Sequence, residues 1–219
     1  EHGCGPIDPT INRTFDNPDS MPIAFYRRKT QIVHLISAHG RGIQHGNTGG
    51  TLDTVKHNCS VSMFQSYRNS TPMSYANFQW VQSIRVFPNN DTAVALVHNE
   101  FKGELDDSGK YCSCFTSVTH PNPACANHCE LWSTGLAVSS DGGEHWQLAR
   151  PPPGHLVAAL PQTFVFNQTL RGYGAISTML RGSDGALYGF INVALARGQP
   201  SESQTPGNCM FRTTNPSDP

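Results

Sequence analysis

The sequence is short of charge: Asp, Glu, Lys and Arg make up only 14% of its 219 residues, and the net charge is −1 with histidine neutral. Such an even balance excludes the basic surface that nucleic acids and anionic membranes require, so neither is expected as a partner. Also missing is any apolar run near the ~20 residues of a membrane-crossing helix, and no membrane span is expected. The sequence as it stands begins at Glu1 and contains no leader-like segment. That absence does not argue for the cytosol, because a mature secreted chain would have lost its leader. Apolar residues at helical spacing are scarce as well, which argues against a helical bundle.

What the chain does have is punctuation and strands. Its 20 glycines and 16 prolines separate apolar runs such as "IAFYRR", "QIVHLISAH", "SIRVF", "TAVALVHNEF", "STGLAVS", "TFVFN", "YGAISTML" and "ALYGFINVALA". Short links such as "PNND" and "GSDG" join several of these as hairpins. Stretches 40–58 and 102–130 read as long irregular loops, which in a compact β protein often carry function. The expectation is a single all-β domain over 1–219.

Seven cysteines are present, four of them crowded together as Cys112, Cys114, Cys125 and Cys129. Four thiolates can hold zinc, but paired C-x2-C knuckles are absent here, so disulfides are expected instead. The odd seventh cysteine is either free or paired outside this sequence. Five N-x-[ST] acceptors, at Asn12, Asn58, Asn69, Asn90 and Asn167, point the same way. Together they describe a glycosylated, secreted protein.

Two series of short repeats recur. Arg41, Lys102 and Arg197 each precede a glycine after a strand-like run, and Ser66, Ser140 and Thr214 recur at a spacing of 74 residues. Each unit reads as an inner hairpin, a long connection and an outer strand ending in a polar turn. Four strands per unit make a propeller blade. About three blades fit and closure typically takes four to eight, so the chain reads as part of a longer one. Further blades, from this chain or another, would then complete the ring.

The stretch "SSDGGEHW" is a tight turn in which Ser and Asp side chains bond nearby backbone and glycines take positive φ. Its Ser139, Asp141, Gly143 and Trp146 match the S-x-D-x-G-x-x-W pattern of the Asp box, with His145 in place of the usual threonine. The pattern resembles the turn of sialidases and other carbohydrate-active propellers, where it is structural and peripheral. The segments "PDSMPIAFYR", "TLDTVKHNCSV", "ALVHNEFKGE", "GLAVSSDGGEHW" and "NCMFRTTNPSDP" extend the likeness over roughly 16–219. They are similar to a group of secreted sialidase-like or glycosidase-like propeller proteins carrying an H-N-E-[FY] motif. That resemblance implies the five-bladed propeller of arabinanase- and fructosidase-type glycoside hydrolases. It brings no assured activity.

Glycoside hydrolysis usually needs two carboxyl groups flanking the scissile bond. Glu100 ends an apolar strand, and His98, two residues earlier, shares its face while Asn99 points away. A histidine there can hold the proton-donating carboxyl by a hydrogen bond. The plainer reading of Glu100 is a solvated carboxylate paired with Lys102. His39 occupies the matching place in the first unit. For the second carboxylate Asp19 is preferred over Asp16 and Asp53, because the base of arabinanase-type enzymes sits near the start of an inner strand. Its plainer reading is a turn former. Asp53, Arg41 and Arg197 are expected to help shape the pocket. A channel ion such as calcium would suit His34, His39 and His98, but no ligand spacing requires one, so no metal or other cofactor is expected.

Sialidases instead use an arginine cluster and a tyrosine nucleophile. Arg41, Arg171, Arg197 and Arg212 exist, but the Arg-Ile-Pro entry motif is absent. The expectation is therefore a secreted two-carboxylate glycoside hydrolase acting on an extracellular polysaccharide. The alternative is a catalytically silent carbohydrate-binding or structural glycoprotein of a matrix, filament or appendage.

Overall fold

A computed structural model describes residues 22–36, 43–65, 78–87, 91–101, 131–161, 171–194 and 205–216. These residues are all-β, with one 3-10 turn, Leu52–Thr54, and no α-helix among them. The strands are β1 (Ile23–Arg27), β2 (Ile32–Ile36), β3 (Ile43–Gly49), β4 (Lys56–Gln65), β5 (Phe78–Phe87), β6 (Thr92–Phe101), β7 (Leu131–Ser139), β8 (Gln147–Leu148), β9 (Leu156–Ala158), β10 (Arg171–Ile176), β11 (Leu180–Arg181), β12 (Leu187–Ala194) and β13 (Gly207–Thr213). The first four form an antiparallel meander, and the other nine form one larger sheet.

The larger sheet curls. Its β5, β6, β7 and β8 pair antiparallel in sequence order. Strand β10 joins β7 by a short parallel pairing, Arg171 with Leu131 and Gly172 with Trp132, and then pairs antiparallel with β12. The sheet thereby folds back over its own middle. Strand β6 is covered on both faces, which is why "AVALV" is continuously apolar rather than alternating. Ala93, Ala95 and Val97 pack on Ile36, Met63 and Phe64 of the four-stranded sheet. Val94 and Leu96 pack on Met179 and Leu187 from the folded-back part. Fully burying a side chain of this size contributes about 1.5–3 kcal/mol, so these two interfaces outweigh the surface ion pairs.

The hairpins read from the sequence are present as β1–β2, β5–β6, β7–β8 and β10–β12. Two details differ. Stretch 40–58 is not a loop throughout: it contains β3 and the 3-10 turn. "IQHGNTG" has weak strand propensity, and its extension is set by pairing with β2 and β4 on either side. The 74-residue repeat marks strand ends, since β4, β7 and β13 finish at Gln65, Ser139 and Thr213. They are not all outer strands: β4 is an edge, whereas β7 lies between β6 and β8.

The turn from Ser139 to Trp146 knits the two sheets together. Gly143 N–H donates to Ser139 Oγ at 2.8 Å, and the Glu144 and His145 amides donate to Asp141 Oδ1 at 3.0 Å. Trp146 donates through Nε1 to Gly143 O at 2.9 Å and through its amide to Met63 O at 2.7 Å. Gly143 has φ of 96°, and a Cβ there would strike the Phe25 ring. Burial alone would raise the Asp141 carboxyl, but hydrogen bonds from the His145 amide, the His145 ring and Ser139 bring it down to about 2. Its contribution is therefore present above the ordinary carboxyl range and lost as pH falls towards 2. Asp141→Ala is expected to cost about 2 kcal/mol at pH 7 by stranding two amides. In thermal melts the gap between variant and wild type should close as the pH approaches 2.

Candidate functional site

Where β5 begins, β6 ends and β7 begins, cross-strand register builds three parallel rows. Phe78, Glu100 and Trp132 form the first, Gln79, Asn99 and Ser133 the second, Trp80, His98 and Thr134 the third. Side chains alternate along a strand, so the first and third rows share one face. On it, His98 Nε2 lies 3.2 Å from Glu100 Oε1. The two side chains are only 6% and 12% exposed. The His98 ring meets Trp132 edge-on at 5.0 Å and lies tilted against Trp80 at 5.6 Å, while Phe78 stacks on Trp80 at 6.0 Å. From β10, Gly174 closes over them. A Cβ there would come within 2.5 Å of the Trp132 ring and 3.0 Å of His98 Cε1, so only glycine admits this approach.

With Nε2 carrying the hydrogen, His98 donates to the Glu100 carboxyl, and its buried Nδ1 is left without a hydrogen-bond partner among the described residues. The arrangement is a carboxyl group fixed by a histidine inside an aromatic enclosure. Such a group can deliver or accept a proton at a stationary position.

The middle row faces the other way and is wholly buried. Gln79 Nε2 donates to Asn99 Oδ1 at 2.7 Å, and Asn99 Nδ2 donates to Ser133 Oγ at 3.2 Å. This ladder ties the three strands at the level of the site and fixes the register that sets Phe78 and Trp132 on either side of Glu100. His155 fills the space left by Gly135, fully buried, with neither ring nitrogen bonded among the described residues. Burial pushes its imidazole down to about 4. The unfolded chain titrates near 6.5, so it takes the proton over the window from 6.5 to about 4 while the fold does not. Stability from this group is intact above 6.5 and falls with pH, by about 3 kcal/mol at most. His155→Leu removes two unpaired nitrogens. Urea midpoints should show it no less stable than wild type at pH 7 and clearly less sensitive to acid at pH 4.5.

Of the residues singled out from sequence, Glu100 and His98 are brought together. Asn99 points away as expected. Asp53 is exposed on the 3-10 turn, where a bond from the Thr51 hydroxyl holds its carboxyl below the usual range. Asp19, His39, Arg41, Lys102 and Arg197 lie outside the described residues, as do Cys112, Cys114, Cys125, Cys129, Asn12, Asn69, Asn90 and Asn167. Asn58 lies on β4, opposite Gly46.

His34 does not join His98. It is buried on β2, stacked on Phe25 at 5.0 Å, and Phe25 in turn meets Trp146 of the Asp-box turn. That turn is held to Asp91 O through the Gly142 amide, and the rise from Asp91 to Glu100 along β6 is about 30 Å. The Asp box is thus at the far end of the sheet from Glu100. Its Asp141, Glu144 and His145 lie close enough to share an ion. They are already engaged, His145 Nδ1 with Asp141 at 2.6 Å and Glu144 with Arg27. Arg212 pairs with Asp184 at 2.8 Å beside Tyr188, whereas Arg171 starts β10 level with the other end of β12. The two arginines are separated by about 20 Å of strand, so they form no common carboxylate clamp.

Phe78, Trp80, Trp132 and Gly174 were not anticipated. The spacing of Phe78 and Trp80 in "FQW" places both on one face, a signal open to a period-two reading. Their meeting with Glu100 depends on register. Searches against protein-family models and curated proteins found no match to this chain.

Proposed function

We propose that this chain is a secreted, carbohydrate-active β-propeller, a glycoside hydrolase that cleaves an extracellular polysaccharide with Glu100 as general acid and Asp19 as the second carboxylate. The observation that carries the reading is the His98–Glu100 bond inside the enclosure of Phe78, Trp80 and Trp132. Glu100 would protonate the leaving glycosidic oxygen, and Asp19 would activate water or attack the sugar from the opposite face. His98 holds the Glu100 carboxyl in one orientation, and the buried rings of Phe78 and Trp80 keep its surroundings apolar.

Support for blades comes from three hairpins, β1–β2, β5–β6 and β10–β12, whose second strands are the ones that the Arg41, Lys102 and Arg197 repeats follow. The four-stranded sheet β1–β4 packs on one face of β6, and the folded-back part of the larger sheet packs on the other. The ring of five blades, the glycans and the disulfides belong to this reading through the sequence motifs. Its test is release of reducing ends from a panel of soluble polysaccharides, with the anomeric course followed by NMR. Retention corresponds to carboxyl groups about 5 Å apart and inversion to about 6.5–9.5 Å. Saccharide binding without any turnover would instead identify a silent binding propeller.

A further inference from the structure

The first strands of the three hairpins, β1, β5 and β10, border one groove of about 860 Å³. None of the described residues lining it is charged. Two strand irregularities face each other across it: β5 bulges at Gln82, and β10 bulges at Ala175, a non-glycine residue with φ of 46°. Side chains of β5 lock them, Gln82 Oε1 accepting from the Ile176 amide and Ser83 Oγ from the Met179 amide, both at 3.1 Å. Bulges and left-handed non-glycine residues concentrate where a strand must present groups to a ligand.

The groups presented here are Gln82 Nε2, the Thr178 hydroxyl and Asn208 Nδ2, none of which donates to a partner among the described residues. Beside them the Phe190 ring stands 53% exposed. Ala175 directly follows Gly174, the residue packed against His98 and Trp132, so the groove and the proposed site share strand β10.

We infer that this groove binds a neutral oligosaccharide, with Phe190 stacking on a sugar ring and Gln82, Thr178 and Asn208 bonding its hydroxyls. Donors without a counter-charge suit hydroxyl oxygens and leave a carboxylate or sulfate uncompensated. The inference rests on the carbohydrate reading above and narrows it to uncharged glycans.

Calorimetry on the whole chain tests it, using neutral tetrasaccharides of glucose, mannose, xylose and arabinose against tetragalacturonate and 3′-sialyllactose. At least one neutral probe should bind and the two acidic ones should not. Phe190→Ala should weaken that binding roughly tenfold. Asn208→Ala should weaken it by a smaller factor, and the melting temperatures of both exposed-site variants should stay at the wild-type value. Glu100→Gln should leave binding intact. Preference for the acidic probes, no binding of any probe, or full affinity in Phe190→Ala overturns the inference. Neutral binding lost in Phe190→Ala but without hydrolysis defeats only the enzymatic reading. Hydrolysis that needs Glu100 but ignores Phe190 defeats only this one.

Discussion

Glu100→Gln is expected to lower kcat on the cleaved polysaccharide by about 10²–10⁴-fold, the range that a positioned proton donor contributes. The substitution preserves shape and keeps an acceptor for His98 Nε2, so the aromatic enclosure and the register of β5, β6 and β7 should persist. KM should change little, because the carboxamide still fills the same place and only proton delivery is lost. Leaving groups that need no protonation provide the sharper check. An activated aryl glycoside should be cleaved by the variant with a much smaller deficit than the natural polysaccharide, since a good leaving group departs without an acid. Equal deficits on both substrates would mean that Glu100 acts otherwise than as the acid. Unchanged hydrolysis of the polysaccharide would remove it from the chemistry altogether.

The second large effect concerns the joint on which the site depends. Gly172 has φ of 125°, and a Cβ built there would lie 2.0 Å from the carbonyl oxygen of Trp132. The obstacle is backbone, so it cannot rotate away. Gly172→Ala must therefore push β10 off β7 at the short parallel pairing that connects the two parts of the larger sheet. Strain at such a backbone position and overpacking each cost about 1–3 kcal/mol, so a loss of about 3–5 kcal/mol is expected. Gly207→Ala is the control: its φ is 152°, but a Cβ there meets nothing within 4 Å. Urea denaturation should place the Gly172 variant's midpoint far below that of the Gly207 variant. Trp132 fluorescence should shift with it, because the indole packs under Gly174 on the same strand. Matching midpoints for the two variants would refute the close β7–β10 contact.

The parts of the fold that were legible in the sequence are those governed by local chemistry. "TAVALVHNEF" reads as an apolar strand because Ala93 to Val97 are all apolar. The Asp-box turn follows from short polar side chains and two glycines, which satisfy the backbone within a few residues. The pairing of His98 with Glu100, and the exclusion of Asn99, follow from the two-residue period of a strand, which no tertiary context can alter.

Other features required partners distant in sequence. Strand β3 exists because β2 and β4 flank it, although its own residues favour turns. Trp132 reaches Glu100 only after residues 102–130 have returned the chain beside β6, and cross-strand register rather than spacing selects it. Gly174 and His155 look unremarkable in the sequence; one makes room for an indole and an imidazole, the other fills room that a second glycine leaves. Shared strand faces and turns could be read from the residues alone, because backbone geometry sets both within a few positions. Which faces meet is set by the assembled sheets, because packing and register between separated strands depend on the whole sheet.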